Sequence, residues 1–533
     1  MRRGNLVRFI LVGFLALSIP LHSFGSNKPD KDDNWQNLDP HKDDVMGVST
    51  EKAYKKKLKK KKESKNVIVA VIDSGVDIEH EDLKGKIWVN EDEIPDNGID
   101  DDNNGYIDDI HGWNFIGNSN GDNINDATLE VTRLYRKFSN MFAGMSEDEI
   151  KNSNLVDFSY YQNVIDTYKA NRGEIEMKHD KYLAVLSEFM YCDSLLNLTV
   201  VDSLADSSLK ASIESAALQM AVYLNQGYSV ESLQEDIDKN GDKLNTQYNT
   251  KFDARKDILG DNVDVWESAF YGNADVEGDD PSHGTSVSGV ICATRNNGIG
   301  VNGIAENVKI MSIRTVPNGD EWDKDVASAI KYAIDNGAQV INMSFGKSFS
   351  PQKEFVDSIA RLVDKSDVLL VHAAGNDSKN IDYEANYPNK YSIDDALLAN
   401  NWLTIGASSR NGEDSTFVAN FSNYGIEYVD VFAPGHKMLL CYPDNEYEVA
   451  SGTSFAAPVV SGVAALLKSY FPQLSAADIK EIILNSAVKY DYDVTLPGTK
   501  TSGKEIVKFN TLSNSGGLVN VYEAIILAEE KIK

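Results

Sequence analysis

The chain has 533 residues, enough for three or four domains of about 150 residues each or for one large α/β domain carrying insertions. With 42% apolar and 25% charged residues it has an ordinary globular composition, and its net charge of −30 excludes nucleic acids and anionic membranes as partners of the molecule as a whole. The aspartates are clustered, which points to calcium.

Residues 1–25 have the layout of a secretory signal peptide. Arg2, Arg3 and Arg8 precede an apolar core over 9–21, and Ser23, Gly25 and Ser26 follow it. The core is too short to span a bilayer comfortably, so the expected location is secreted or periplasmic, with no stable membrane span after signal removal. An uncleaved membrane anchor is the alternative. Residues 26–65 form a polar, Lys-rich N-terminal segment that closes in a lysine run over 55–62. This run reads as a solvated helix end or linker; binding to an anionic lipid or polymer is the competing reading. Cys192, Cys292 and Cys441 are far apart and odd in number, which predicts buried thiols and at most one disulfide.

From Asn66 the texture changes. Val67-Ile68-Val69-Ala70-Val71-Ile72 is a β-branched run bounded by the turn signal Asp73-Ser74-Gly75. It reads as a strand buried on both faces, hence part of a parallel sheet with Asp73 at its carboxyl end, where such sheets bind ligands. Further strands are predicted over 309–316, 340–344, 368–373, 403–407 and 428–432. Helices are predicted over 287–293, 323–336, 353–363, 455–470 and 476–485. This alternation implies an α/β fold with a three-layer, doubly wound, mostly parallel sheet. Between 121 and 265 the strand signal disappears, and 129–142, 158–168, 181–195 and 209–224 show helical spacing. The organisation expected is an α/β domain of 66–120 and 266–533, interrupted by a helical insertion over 121–265.

Three scattered residues acquire meaning together. Asp73 ends a strand, His283 lies in Pro281-Ser282-His283-Gly284-Thr285-Ser286, and Ser454 lies at the mouth of an apolar helix in Gly452-Thr453-Ser454-Phe455-Ala456-Ala457-Pro458. A serine hydroxyl is a poor nucleophile until a base takes its proton, and that base needs a buried carboxylate to fix its tautomer. These motifs, with Asn342-Met343-Ser344-Phe345-Gly346, Ala373-Ala374-Gly375-Asn376 and Ala433-Pro434-Gly435 in order between them, resemble the subtilisin-like serine proteases, the subtilases. The resemblance covers about 66–118 and 266–525. It implies peptide or protein substrates, Asp73, His283 and Ser454 as the triad, and Asn376 as the oxyanion donor. It also implies Ser344, Phe345, Gly346, Ala373, Ala374 and Gly375 as the edges that bind extended substrate. Lys347 stands where many relatives carry a second glycine, which questions the shape of the specificity pocket. Phe455 replaces a common methionine, and Ser286 replaces a second histidine.

Calcium is the cofactor expected, in a structural role. Asp100, Asp102, Asn104 and Asp108 hold loop positions 1, 3, 5 and 9, with Gly105 at 6 and the Tyr106 carbonyl at 7, although His111 occupies position 12 where a glutamate would close an EF-hand. A looser echo spans 236–241. The resemblance adds a second site from Asp82 and the loop carrying Asn297, Ile299 and Val301. It also makes residues 26–65 short for a folded inhibitory propeptide. The insertion could supply control instead, as a lid or exosite over the cleft. The activity expected is a secreted, calcium-stabilised serine endopeptidase. Alternatives are a processing protease gated by the insertion, or an inactive peptide-binding protein.

Overall fold

The computed structural model describes residues 31–59, 61, 65–197, 207–266, 271–392, 396–412, 416–499 and 503–533. The signal peptide expected over 1–25 therefore lies outside the described residues. Among those described, no helix is long and apolar enough to cross a membrane.

Seven strands form one sheet: β1 (Val67–Asp73), β2 (Gly112–Asn114), β3 (Val308–Arg314), β4 (Val340–Met343), β5 (Leu369–Ala373), β6 (Trp402–Ser408) and β7 (Val431–Pro434). Their order is β2-β3-β1-β4-β5-β6-β7, and every neighbouring pair is parallel. The register sets Asp73 beside Arg314 and Ile72 beside Met343, so the carboxyl ends of β1, β3 and β4 share one edge. Alternation along β1 divides the core: Val67, Val69 and Val71 face one apolar layer, and Ala70 and Ile72 face the other.

Helices α1 to α6 lie between β2 and the segment carrying His283: α1 (Glu130–Met141), α2 (Glu147–Ser153), α3 (Phe158–Asn197), α4 (Ser207–Asn225), α5 (Val230–Asn245) and α6 (Ala254–Ile258). They are followed by α7 (Ser282–Cys292), α8 (Asp323–Asp335), α9 (Lys353–Lys365), α10 (Thr453–Tyr470), α11 (Ala476–Asn485) and α12 (Val521–Lys531). α7, α10, α11 and α12 cover one face of the sheet, and α8 and α9 the other, giving the three layers that the alternation implied. The fold is the α/β architecture expected. β7 begins three residues later than the apolar run suggested, and the short β2 went unpredicted. α3 is one helix of 40 residues where the spacing suggested two.

The stretch 26–65 is not a free tail where it is described. Trp35, Leu38, Val48, Ala53 and Leu58 are buried in the same apolar layer as β1. The lysine run docks on the chain's last helix: Lys57 Nζ pairs with Glu529 at 3.0 Å, and Lys61 Nζ lies 3.8 Å from the Phe471 ring centroid. Those lysines therefore face protein. All three cysteines are free and buried.

Two buried charge networks join the helical segment to the sheet domain. The Arg255 guanidinium donates to both oxygens of Asp325 (2.6 and 3.0 Å) and both of Asp261 (2.8 Å each), over the ring of Trp322. Lys347 Nζ meets Glu130 at 3.1 Å and Asp323 at 3.0 Å. Removing one member of such a network leaves the others charged and desolvated. Arg255→Ala should cost about 3–5 kcal/mol, read as a lowered denaturant midpoint, because Asp325, whose side chain is 0% exposed, loses its main counter-charge.

Candidate active site

The first turn of α7 is brought against the end of β1 by two glycines. A Cβ on Gly284 would lie 2.0 Å from the Gly75 carbonyl oxygen, and Gly75 itself has φ +138°. With no side chains in the way, His283 Nδ1 donates to Asp73 Oδ1 at 2.7 Å. Asp73 is 1% exposed, and its other carboxylate oxygen is buried with no hydrogen-bond partner. Burial alone would pull the imidazole down. The Asp73 charge and hydrogen bond outweigh it and raise the His283 pKa above its usual value. The ring is 36% exposed and lies 5.8 Å from the Phe455 ring, so it opens onto a cleft on one side only.

Ser454 sits at the second position of α10. Pro458, four residues on, has no N–H to give the Ser454 carbonyl its helical bond. The Ser344 hydroxyl, just past β4, donates to that carbonyl at 2.8 Å instead. Ser454 Oγ in turn donates to the Ser344 carbonyl at 3.0 Å. This reciprocal pair locks the serine to the sheet edge. The hydroxyl is engaged there rather than with His283, a loosening common in unliganded sites.

Asn376, just past β5, is oriented by Thr453, whose N–H and hydroxyl both donate to Asn376 Oδ1 at 2.9 and 3.0 Å. Its Nδ2 is left facing outward. A Cβ built on Gly452 would lie 3.7 Å from that Nδ2 and 3.6 Å from the Ser454 amide nitrogen, so the two donors flank one space at the helix mouth. Ser344, Phe345 and Gly346 continue β4, beside Ala373, Ala374 and Gly375 of the β5 end. His372, which sequence reading missed, fixes this edge: its buried Nε2 donates to the Phe345 carbonyl at 2.7 Å, and burial pushes its pKa down to about 4, keeping it neutral. Lys347 does not enter the cleft; it turns into the buried network with Glu130. Ser286 is buried and donates to the Cys441 carbonyl at 2.7 Å.

The cleft, about 810 Å³ in volume, is lined by Asp73, His283, Ser344 and Phe345 and also by α5 of the helical segment. Nothing in the sequence marked α5 as a cleft wall. Its residues 236–241, read as a loose calcium loop, are helical and form no such loop.

The acidic loop folds differently from its spacing. Ligand oxygens of Asp100 and Asp102 lie within 4.8 Å of one another and of Glu93, a residue that the motif did not include. Asp108, predicted as a member, turns away: its carboxylate accepts from the amides of Asn97 (3.2 Å) and Gly98 (2.9 Å). Asn104 stays beside the group through Asp102 Oδ2, at 3.0 Å from its Nδ2. The Tyr106 amide donates to Asn104 Oδ1 at 2.8 Å, and His111 bonds the Trp88 carbonyl. The residues of the second predicted site lie together. Asp82, fully buried, accepts from Asn297 Nδ2 at 2.5 Å and from the Val301 amide at 2.9 Å; the Ile299 amide bonds Asn297 Oδ1 at 3.1 Å. Burial raises the Asp82 pKa, a cost that a cation would remove. Gln36 Oε1 is buried with no partner, and its neighbours Asn34 and Asn37 both bond Asn302 of this loop. These hard oxygens fit Ca²⁺ at both places.

The subtilase family model matches residues 64–515. The chain is similar to the thermostable alkaline protease of Halalkalibacterium halodurans, at 35% identity over 39% of this chain and 53% of that protein. It is similar to halolysin of Haloferax mediterranei, at 35% identity over 45% of this chain and 42% of that protein. Subtilisin DY of Bacillus licheniformis is 34% identical over 42% of this chain and 76% of its own length. The chain thus spans about half the length of the first of these relatives. It belongs to the subtilase family.

The Ser344–Ser454 pair yields a coupled prediction. Ser344→Ala should lose about 1–3 kcal/mol by stranding the partly buried Ser454 carbonyl. Adding Pro458→Ala, which restores the helical N–H, should recover part of that loss. A double-mutant cycle by chemical denaturation would show the non-additivity.

Proposed function

We propose that this chain is an exported serine endopeptidase that hydrolyses peptide bonds through an acyl-enzyme, with calcium holding its loops. His283, its Nδ1 proton held by Asp73, removes the Ser454 proton. Ser454 attacks the scissile carbonyl, and the Asn376 amide and the Ser454 backbone N–H receive the oxyanion. His283 then protonates the leaving amine, and water releases the acyl group by the reverse steps. The observation that carries this reading is the 2.7 Å Asp73–His283 bond at the same sheet edge as a serine and two converging N–H donors. A binding module would need none of these groups so arranged. The oxygens of Glu93, Asp100 and Asp102, and those of Asp82, Asn297 and Gln36, would hold Ca²⁺, whose charge would offset their desolvation and repulsion. Export rests on the pattern of residues 1–25.

A narrower reading, a processing protease open to few partners, is favoured by one observation: α5 lines the same cleft as His283. Reaction with a fluorophosphonate tests the chemistry. A single adduct on Ser454, absent from His283→Ala, is expected. An unmodified Ser454 in folded, calcium-loaded protein would refute the enzyme.

Because Asp73 holds the His283 pKa up, the neutral base is lost as pH falls through a midpoint above 6.5. Asp73→Asn should lower kcat by about 10⁴ and move the acid limb of kcat/KM to lower pH, since the imidazolium loses its counter-charge. Chelation by EDTA should lower the thermal midpoint, with recovery on adding Ca²⁺ but not Mg²⁺, whose smaller octahedral shell these sites do not match.

A further inference from the structure

The cleft carries more charge than peptide hydrolysis uses. Along α5 the lining positions 235, 238, 239, 242 and 243 recur at three- and four-residue intervals and so share one helix face, with Leu233, Ile237 and Asn240 buried behind them. Glu235, Asp238 and Asp242 are exposed, and no ion pair holds any of them among the described residues. Asp126, Asp279 and Asp280 also line the cleft, beside His283 rather than on α5. Asp126 accepts from Asn318 Nδ2 at 2.8 Å, Asp279 from Asn125 Nδ2, and Asp280 from the Ser282 amide at 3.1 Å. These six carboxylates outnumber the three lining cations, Lys239, Lys243 and Arg314.

Two observations bear on the occupant. The carboxylates stand on separate walls and do not converge. Among the described residues, the group of carboxylates close enough to hold one ion is Glu93, Asp100 and Asp102, elsewhere in the fold. A bound Ca²⁺ needs six to eight oxygens about a single point. Arg314, only 3% exposed, also lines the cleft; its Nε and Nη2 donate to the Ser74 carbonyl and Asn125 Oδ1, but its buried Nη1 has no partner. That N–H calls for an acceptor, and its positive charge repels a bare cation. A peptide can supply cationic side chains for the carboxylates.

We propose that α5 and the 279–280 segment form a charge-selective wall, which takes extended peptides carrying Lys or Arg beside the scissile bond. This rests on the proteolytic reading above and adds the chemistry of its substrate. Attraction between exposed charges is modest for each pair and screened by salt, so the preference grows with the number of carboxylates and shrinks with ionic strength.

The test uses full-length, calcium-saturated enzyme and three quenched fluorescent peptides that differ only in having Lys, Gln or Glu beside the cleavage point. At low salt the wild type should favour the Lys over the Gln peptide in kcat/KM by about tenfold, mainly through KM, and 0.5 M NaCl should reduce the ratio severalfold. Glu235→Gln/Asp238→Asn/Asp242→Asn should bring the ratio to about two, and replacing all three with lysine should shift preference to the Glu peptide. A wild-type enzyme that turns over all three alike, or salt-insensitively, would overturn the proposal while leaving the protease intact, whether or not the variants fold. A Lys preference abolished by raising calcium would assign these carboxylates to the ion and overturn it too. An absence of hydrolysis, with no fluorophosphonate adduct on Ser454, removes the proteolytic reading itself.

Discussion

The bond from the Ser344 hydroxyl to the Ser454 carbonyl is the constraint around which the site closes. It exists because Pro458 denies that carbonyl its place in the helix, and it ties α10 to the end of β4. Once that tie is made, Thr453 is in position to hold Asn376 from β5, and Gly452 leaves the space between the two N–H donors open. β1 lies beside β4 in the sheet, so Asp73 and the α7 turn that it holds arrive at the same edge. A proline that would weaken an isolated helix therefore gives four elements a common origin.

The helices between β2 and α7 relate to this edge in a different way. Their own apolar clusters hold them together: Val131, Leu134, Phe138 and Val164 in one, Phe189, Met220, Tyr223 and Leu233 in another. Their join to the sheet domain is apolar, through Phe349 and Trp322, and also ionic. Lys347 and Arg255 are each almost fully buried among carboxylates contributed from both sides of the join. Buried pairs of this kind add little net stability over an apolar contact, but they penalise every misaligned arrangement heavily, so they fix orientation. That orientation sets α5 along the same cleft as His283.

Much of the sheet was legible in the sequence because a strand buried on both faces is mostly apolar, as 67–72 and 368–371 are. Asp73, His283, Asn376 and Ser454 were legible because each ends or begins such a run beside small residues. What escaped depends on partners distant in sequence. β2 is too short to show a period. The polar middle of α3 lacks apolar spacing yet consists of good helix formers, so one helix looked like two. Asp236, Asp238 and Asn240 matched a metal-loop spacing, although the apolar residues at 233 and 237 carry a helix through them. Glu93 joins Asp100 and Asp102 only through the folding of the loop. The segment 26–65 looked polar because its buried stretches, 34–39 and 45–50, mix apolar side chains with Asn, Gln, Asp, Ser and Thr, and its lysines turn toward Glu529, Tyr522 and Phe471.

Asp73 and His283 are 210 residues apart in the chain, yet their side chains must meet within hydrogen-bond distance. Closing a loop costs entropy that grows only with the logarithm of its length, about 0.6 kcal/mol for each doubling. Routing the chain through six helices rather than directly from β2 to α7 therefore adds only about 1 kcal/mol to that closure. The helices can lengthen, shorten or change their surface charge at almost no expense to the geometry of the pair, provided Lys347 and Arg255 keep their carboxylates. The structure thus separates what evolution may vary, the helical wall of the cleft, from what it must conserve, the carboxyl edge of the sheet.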